Sequence, residues 1–124
     1  MKYLLDSNVI IAAIGASSNR LRERMAECDE DDMVTSAIAY AEVAHGSANG
    51  KQPPLAILDQ FVDAVPVLPF DRSAASAYAG LRFIRGSYDR LIAAHAVSRD
   101  LILVTSNERD FADVPGLRVE NWAE

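Results

Sequence analysis

Asp6, Glu42 and Asp89 each stand in a stretch whose other residues favour burial: "YLLDSNVI", "SAIAYAEVAHG" and "DRLIAAHAVSR". A carboxylate in such a setting costs several kcal/mol if it stays charged and unpaired. Taken singly, each has an ordinary explanation. Asp6 fits an N-cap of the next helix. Glu42 fits a solvent stripe with Tyr40 and His45, and Asp89 fits a first turn, where the helix dipole favours negative charge. The polar run "TSNERDF" at 105–111, with Thr105, Ser106, Asn107 and Asp110, fits a loop. Taken together, each falls just after an expected strand or on a helix beside one. In a parallel sheet such positions converge beyond the strands' carboxyl ends. Converging carboxylates hold a proton unless a cation sits between them. Oxygen donors alone favour a hard ion, Mg²⁺ or Mn²⁺.

Other chemistries find less support. Cys28 is the single cysteine, and His45 and His95 show no zinc-ligand spacing. His95 reads as a packed or hydrogen-bonded residue of its helix. Neither "GxxxxGK[ST]" nor "GxGxxG" occurs. Asp6 as a covalent phosphohydrolase nucleophile would ordinarily have a second Asp two positions on, where this chain has Asn8. Ser7 and Asn8 are read as capping the helix after Asp6, directing N–H groups at an anion.

The elements that must position these residues follow from the apolar pattern. "KYLLD", "DMVTS", "AVPVLPF", "LILVTS" and "LRVEN" read as strands, and continuous apolar runs suit a parallel sheet buried on both faces. Helices are expected over 8–14 and 18–27, over 36–46 between Ser36 and Gly46, and over 54–63 from Pro54. Two more are expected over 72–85, between Asp71 and Gly86, and over 88–99 after Ser87. Alternating strands and helices predict an α/β fold, a three-layer α/β/α sandwich with a mostly parallel central sheet of about five strands.

Residues 1–124 are expected to form a single domain. No apolar run approaches the ~18 residues of a membrane span, and the N-terminus does not read as a signal peptide. With one cysteine, the expected location is cytoplasmic. The net charge of −6 argues against gripping nucleic acid by bulk electrostatics. It leaves room for a nuclease whose acidic site is offset by metal. The acidic run "ECDEDD" at 27–32 is expected to be a solvated loop.

With these residues in view, the whole chain resembles the PIN-domain ribonucleases, and within them the VapC toxins of toxin–antitoxin pairs. "YLLDSNVI", "TSAIAYAEVAHG", "VLPFDRSAASAYAGLR" and "DRLIAAHAVSRDLILVTSNERDFADVPGLRVENW" are similar to the family's successive blocks, in the same order. The resemblance implies a Mg²⁺- or Mn²⁺-dependent endoribonuclease with Asp6, Glu42 and Asp89 as catalytic, metal-binding acids. Asn107 stands where the family often has a fourth acid, and Asp110 would partly substitute for it. Ser7, Thr105 and Ser106 would hold metal waters or the phosphate. Arg82, Arg85 and Arg90 are candidate RNA contacts, as are Arg20, Arg22 and Arg24. The segment "RGSY" before Asp89 is shorter than is usual in the family. The implied partners are a VapB-type antitoxin, an RNA substrate and a second copy in a homodimer. A rival expectation keeps the fold and removes the catalysis: a PIN-fold binding module acting with its antitoxin in a DNA-bound regulatory complex.

Overall fold

The computed structural model describes residues 1–85 and 87–123. Five strands form one all-parallel sheet: β1 (Tyr3–Leu5), β2 (Met33–Ser36), β3 (Val67–Leu68), β4 (Ile102–Val104) and β5 (Val119–Glu120). Their order across the sheet is β3-β2-β1-β4-β5. Leu4 pairs with Val34 on one side and Leu103 on the other. Among the described residues, six helices join the strands: α1 (Ser7–Gly15), α2 (Asn19–Ala26), α3 (Ala37–Ala48), α4 (Leu55–Ala64), α5 (Arg72–Ala79) and α6 (Tyr88–Ser98). This is the three-layer α/β/α arrangement expected of alternating strands and helices.

Strands β1 and β4 are buried along their whole length. Leu4, Leu5, Leu103 and Val104 meet Ile10, Leu58 and Ile92 from the helices in one core. The chain runs outward from β1 to β2 and β3, then crosses back to β4 and β5. The order therefore reverses between β1 and β4, the point beyond whose carboxyl ends sheets of this kind form their binding crevice. Asp6 follows β1 and Thr105 follows β4, so both stand in that crevice.

Several boundaries differ from expectation. Helix α5 stops at Ala79 with Gly80 as its C-cap, six residues before Arg85. Glycine in a helix interior costs about 1 kcal/mol, which disfavours continuing the helix through Gly80. Beyond it Phe83 and Ile84 are exposed, so no core packing sustains further turns. The expected stop at Gly86 lies outside the described residues. Helix α3 passes through Gly46, and the chain reverses at Gly50, whose φ of +83° suits glycine. Strand β3 shrinks to two residues at the sheet's edge, between Pro66 and Pro69, where proline's missing N–H is tolerated. The 27–32 run is mostly exposed and holds a short 3-10 turn at Glu30–Asp32.

Candidate active site

Asp6 caps α1 and is also buried, only 1% exposed. The two readings of this residue are therefore compatible: the cap fixes the carboxylate in place. Ser7 is the first residue of the helix, so the cap is Asp6 and not Ser7 or Asn8. Asp6 Oδ1 accepts the Ser7 backbone N–H at 2.7 Å, and Oδ2 accepts the Thr105 hydroxyl at 2.8 Å. Thr105 Oγ1 in turn accepts the Asn107 N–H at 3.1 Å. Asn107 thus acts at the rim through its backbone. Burial raises the Asp6 pKa above the ordinary carboxylate value; the Thr105 and Ser7 hydrogen bonds pull the other way, and the nearby Asp110 adds to the rise.

Glu42 lies in the middle of α3 and is partly buried. Its pKa is raised to about 6, first by burial and then by the charges of Asp6 and Asp89. Its Oε1 is buried without a hydrogen-bond partner. Asp89, in the first turn of α6, is raised by burial, then by Asp6 and Asp110. Glu42 therefore feels both Asp6 and Asp89, Asp89 feels Asp6, and Asp110, exposed at the edge, acts on Asp6 and Asp89. Among the described residues, no three His, Cys, Asp or Glu side chains are gathered into a ready-made metal cluster. The donors nevertheless fit a hard divalent cation: they are oxygens only, mutually repelling, with one buried oxygen unpaired.

A PIN-domain family model matches residues 3–117. The chain belongs to the PIN-domain family, in its VapC branch. It is 35% identical to the tRNA(fMet)-specific endonuclease VapC of Shigella flexneri, over 99% of each chain. A DNA-bound VapBC from Salmonella typhimurium contains a chain of the same fold, with TM-score 0.87 and 33% identity over 98% of both chains. VapBC2 from Rickettsia felis, solved on a fragment of its promoter, gives TM-score 0.87 at 28% identity, over 98% of this chain and 99% of that one.

Within this PIN domain the arginines divide by environment. Arg82 and Arg85 are exposed on the stretch leading to Asp89. Arg90 is 2% exposed, and its guanidinium donates to Asp113 at 3.1 Å, so it is committed to the interior rather than to RNA. Arg24 is likewise engaged, stacked 4.8 Å from the Trp122 ring and bonded to the Tyr3 hydroxyl at 3.3 Å. Arg20 and Arg22 are exposed.

One connection escaped the sequence reading. His95 of α6 is fully buried, and its Nδ1 lies 2.8 Å from Ser36 Oγ. Ser36 Oγ also caps α3, accepting the Ile38 N–H at 3.1 Å. A single side-chain contact therefore ties the helix carrying Asp89 to the one carrying Glu42. The apolar run around His95 signalled burial, but its partner lies 59 positions away.

Proposed function

We propose that the chain is a metal-dependent endoribonuclease that hydrolyses RNA phosphodiester bonds and serves as the toxin of a VapBC-type pair. The observation carrying this reading is the gathering of three acids at the reversal of strand order, where Asp6 and Asp89 raise the pKa of Glu42 and Asp6 raises that of Asp89. The ribonuclease and endonuclease names of its relatives support it. So does its likeness to the toxin–antitoxin assemblies.

A bound Mg²⁺ or Mn²⁺ would lower the pKa of an attacking water and neutralise charge developing on the phosphate. Asp6 and Asp89 are the residues that would hold it, and Glu42 would complete the site. Asp6 is suited to this by its fixed pose, locked from both sides by Ser7 and Thr105. Glu42, with a pKa near 6, is suited to orient a water and accept its proton close to neutral pH. Ser7 and Thr105 keep the central carboxylate from rotating. Asp110 adds negative charge at the rim, where Asn107 brings none.

The substrate would be single-stranded or looped RNA, where bases are open to recognition. Initiator tRNA is the first candidate, because the Shigella relative is named for it. Arg82 and Arg85 would contact the backbone. A VapB-type antitoxin would cover the crevice and bring a basic side chain to the acids, and a homodimer would form through helices of the first half. Sequencing the ends of the cleaved RNA tests the mechanism. A 5′-phosphate and a 3′-hydroxyl are expected; a 2′,3′-cyclic phosphate contradicts attack by water.

The second reading, a catalytically weak binding module in a DNA-bound regulatory complex, is favoured by the uncharged Asn107 and by relatives solved on DNA. RNA left intact in Mg²⁺ and in Mn²⁺ would favour it.

A further inference from the structure

The C-terminal end of α3 brings a cation back toward Glu42. Asn49 closes the helix, with its side-chain amide donating to the His45 carbonyl at 2.8 Å. Gly50 then turns left-handed, and the Lys51 N–H returns to the Gly46 carbonyl at 2.9 Å. The aliphatic stem of Lys51 lies over Gly46: a methyl group on that glycine would sit 3.7 Å from Lys51 Cβ and Cδ. One helical turn before Gly46 stands Glu42. A cavity of about 200 Å³ joins them, with Ser7, Asn8, Glu42, His45, Lys51 and Gln52 as its polar lining and Ile11 and Val43 as its apolar one. Its inner wall is the acid site, through Ser7 and Glu42. Lys51 and His45, both exposed, line it as well.

Among the described residues, Lys51 forms no ion pair, although it shares this cavity with Glu42. The chain as a whole carries −6, and the carboxylates at the crevice repel a polyanion. A free ammonium held beside them supplies a local counter-charge. Asn8 and Gln52, on the same lining, carry side-chain amides able to donate hydrogen bonds. Donors and a cation facing one cavity match a phosphodiester group.

We propose that the Lys51–His45 wall is an RNA phosphate subsite, holding the phosphate next to the one that is cut. This rests on the ribonuclease reading and assigns a task to residues outside its acids. Lys51 acts in ground-state binding, so its loss raises KM and leaves kcat in place. Each phosphate contact on a single strand contributes about 0.7 to the salt slope of log affinity.

The test compares Lys51→Gln and Lys51→Arg with the native chain on a single-stranded oligoribonucleotide, in Mg²⁺ and in Mn²⁺, over a series of salt concentrations. Fluorescence anisotropy with the same oligonucleotide, in an Asp6→Asn background, reads binding without cleavage. For Lys51→Gln the expected results are a KM raised about threefold to tenfold, an unchanged kcat, and a salt slope shallower by about 0.7. Lys51→Arg should restore most of the affinity, and His45→Gln should shift KM in the same sense as Lys51→Gln. Unchanged KM, affinity and slope in Lys51→Gln overturn the subsite. A fall in kcat at constant KM also overturns it, placing the effect of Lys51 on Glu42. If the native chain cuts no RNA, the ribonuclease reading fails, and the anisotropy arm still decides the subsite.

Discussion

Thr105 donates its hydroxyl proton to Asp6 at 2.8 Å, across 99 positions of sequence and across the reversal of strand order between β1 and β4. The bond does two things. It satisfies a carboxylate oxygen that burial would otherwise leave bare, and it opposes the rise in the Asp6 pKa that burial causes. Thr105→Val keeps the shape and removes the donor. The expected cost is about 1–3 kcal/mol, the penalty for an unsatisfied buried acceptor. Thr105→Ser should lose much less. Urea unfolding at neutral pH checks this, and equal midpoints for native and Thr105→Val contradict it.

Glu42 sets a pH dependence of definite sign. Its pKa is about 6 in the folded chain, against an ordinary 4.5. Between those values the folded state holds a proton that the unfolded state has released. The group's contribution is therefore complete below about 4.5 and disappears as pH rises through about 6. For a partly exposed side chain this amounts to about 1 kcal/mol after solvent screening. In EDTA, Glu42→Gln should remove that part of the decline in stability. A dication favours the ionised form, so added Mn²⁺ should stabilise the native chain more at pH 7 than at pH 5. Parallel stability curves for native and Glu42→Gln contradict the assignment.

His95 works in the opposite direction. Burial lowers its pKa below the ordinary 6.5, and the nearby Arg99 lowers it further, while Asp71 partly opposes them. The folded chain resists a proton that the unfolded chain accepts. The contribution of His95 is present above pH 6.5 and is lost as pH falls through its folded value. Asn at this position can keep a hydrogen bond to Ser36 without titrating. His95→Asn should therefore flatten the acid side of the stability curve, while His95→Leu should also weaken Mn²⁺ binding by freeing the Ser36 cap of α3. Thermal unfolding from pH 5 to 7 and calorimetric Mn²⁺ titration read the two effects.

Arg90 is nearly fully buried, while Asp113 is half exposed. Losing one partner is then unequal in cost. Asp113→Ala strands a buried guanidinium whose Nε already lacks a partner. Arg90→Met removes the buried charge and fills similar volume, a change that is often neutral. The urea midpoint should fall further in Asp113→Ala than in Arg90→Met, and the KM for RNA should be unmoved by Arg90→Met. A raised KM with unchanged stability would return Arg90 to the RNA surface.

Residues whose neighbours expose them as misplaced could be read directly. Asp6 interrupts two apolar runs, and Glu42 is surrounded by small apolar residues, so both stood out before any contact was known. The alternation of runs also led to the layered parallel sheet. What escaped were facts that need the third dimension. Arg90 resembles any surface arginine until Asp113, 23 positions later, folds back to meet it. Lys51 gains its position only from the reversal at Gly50. The end of α5 was misplaced because "AGLRFIR" keeps helical spacing past Gly80 while offering nothing for Phe83 to pack against. Local pattern reports what a residue can do, and long-range packing decides which option is used.

The most direct measurement is RNA cleavage by the native chain and by Asp6→Asn, purified in parallel and shown to be equally folded, with Mg²⁺ or Mn²⁺ present and with EDTA as control. Cutting by the native chain in metal, none in EDTA, and a loss of at least about a hundredfold in Asp6→Asn are expected. Equal cleavage by the two proteins, or cleavage that persists in EDTA, would contradict metal-dependent cleavage through Asp6.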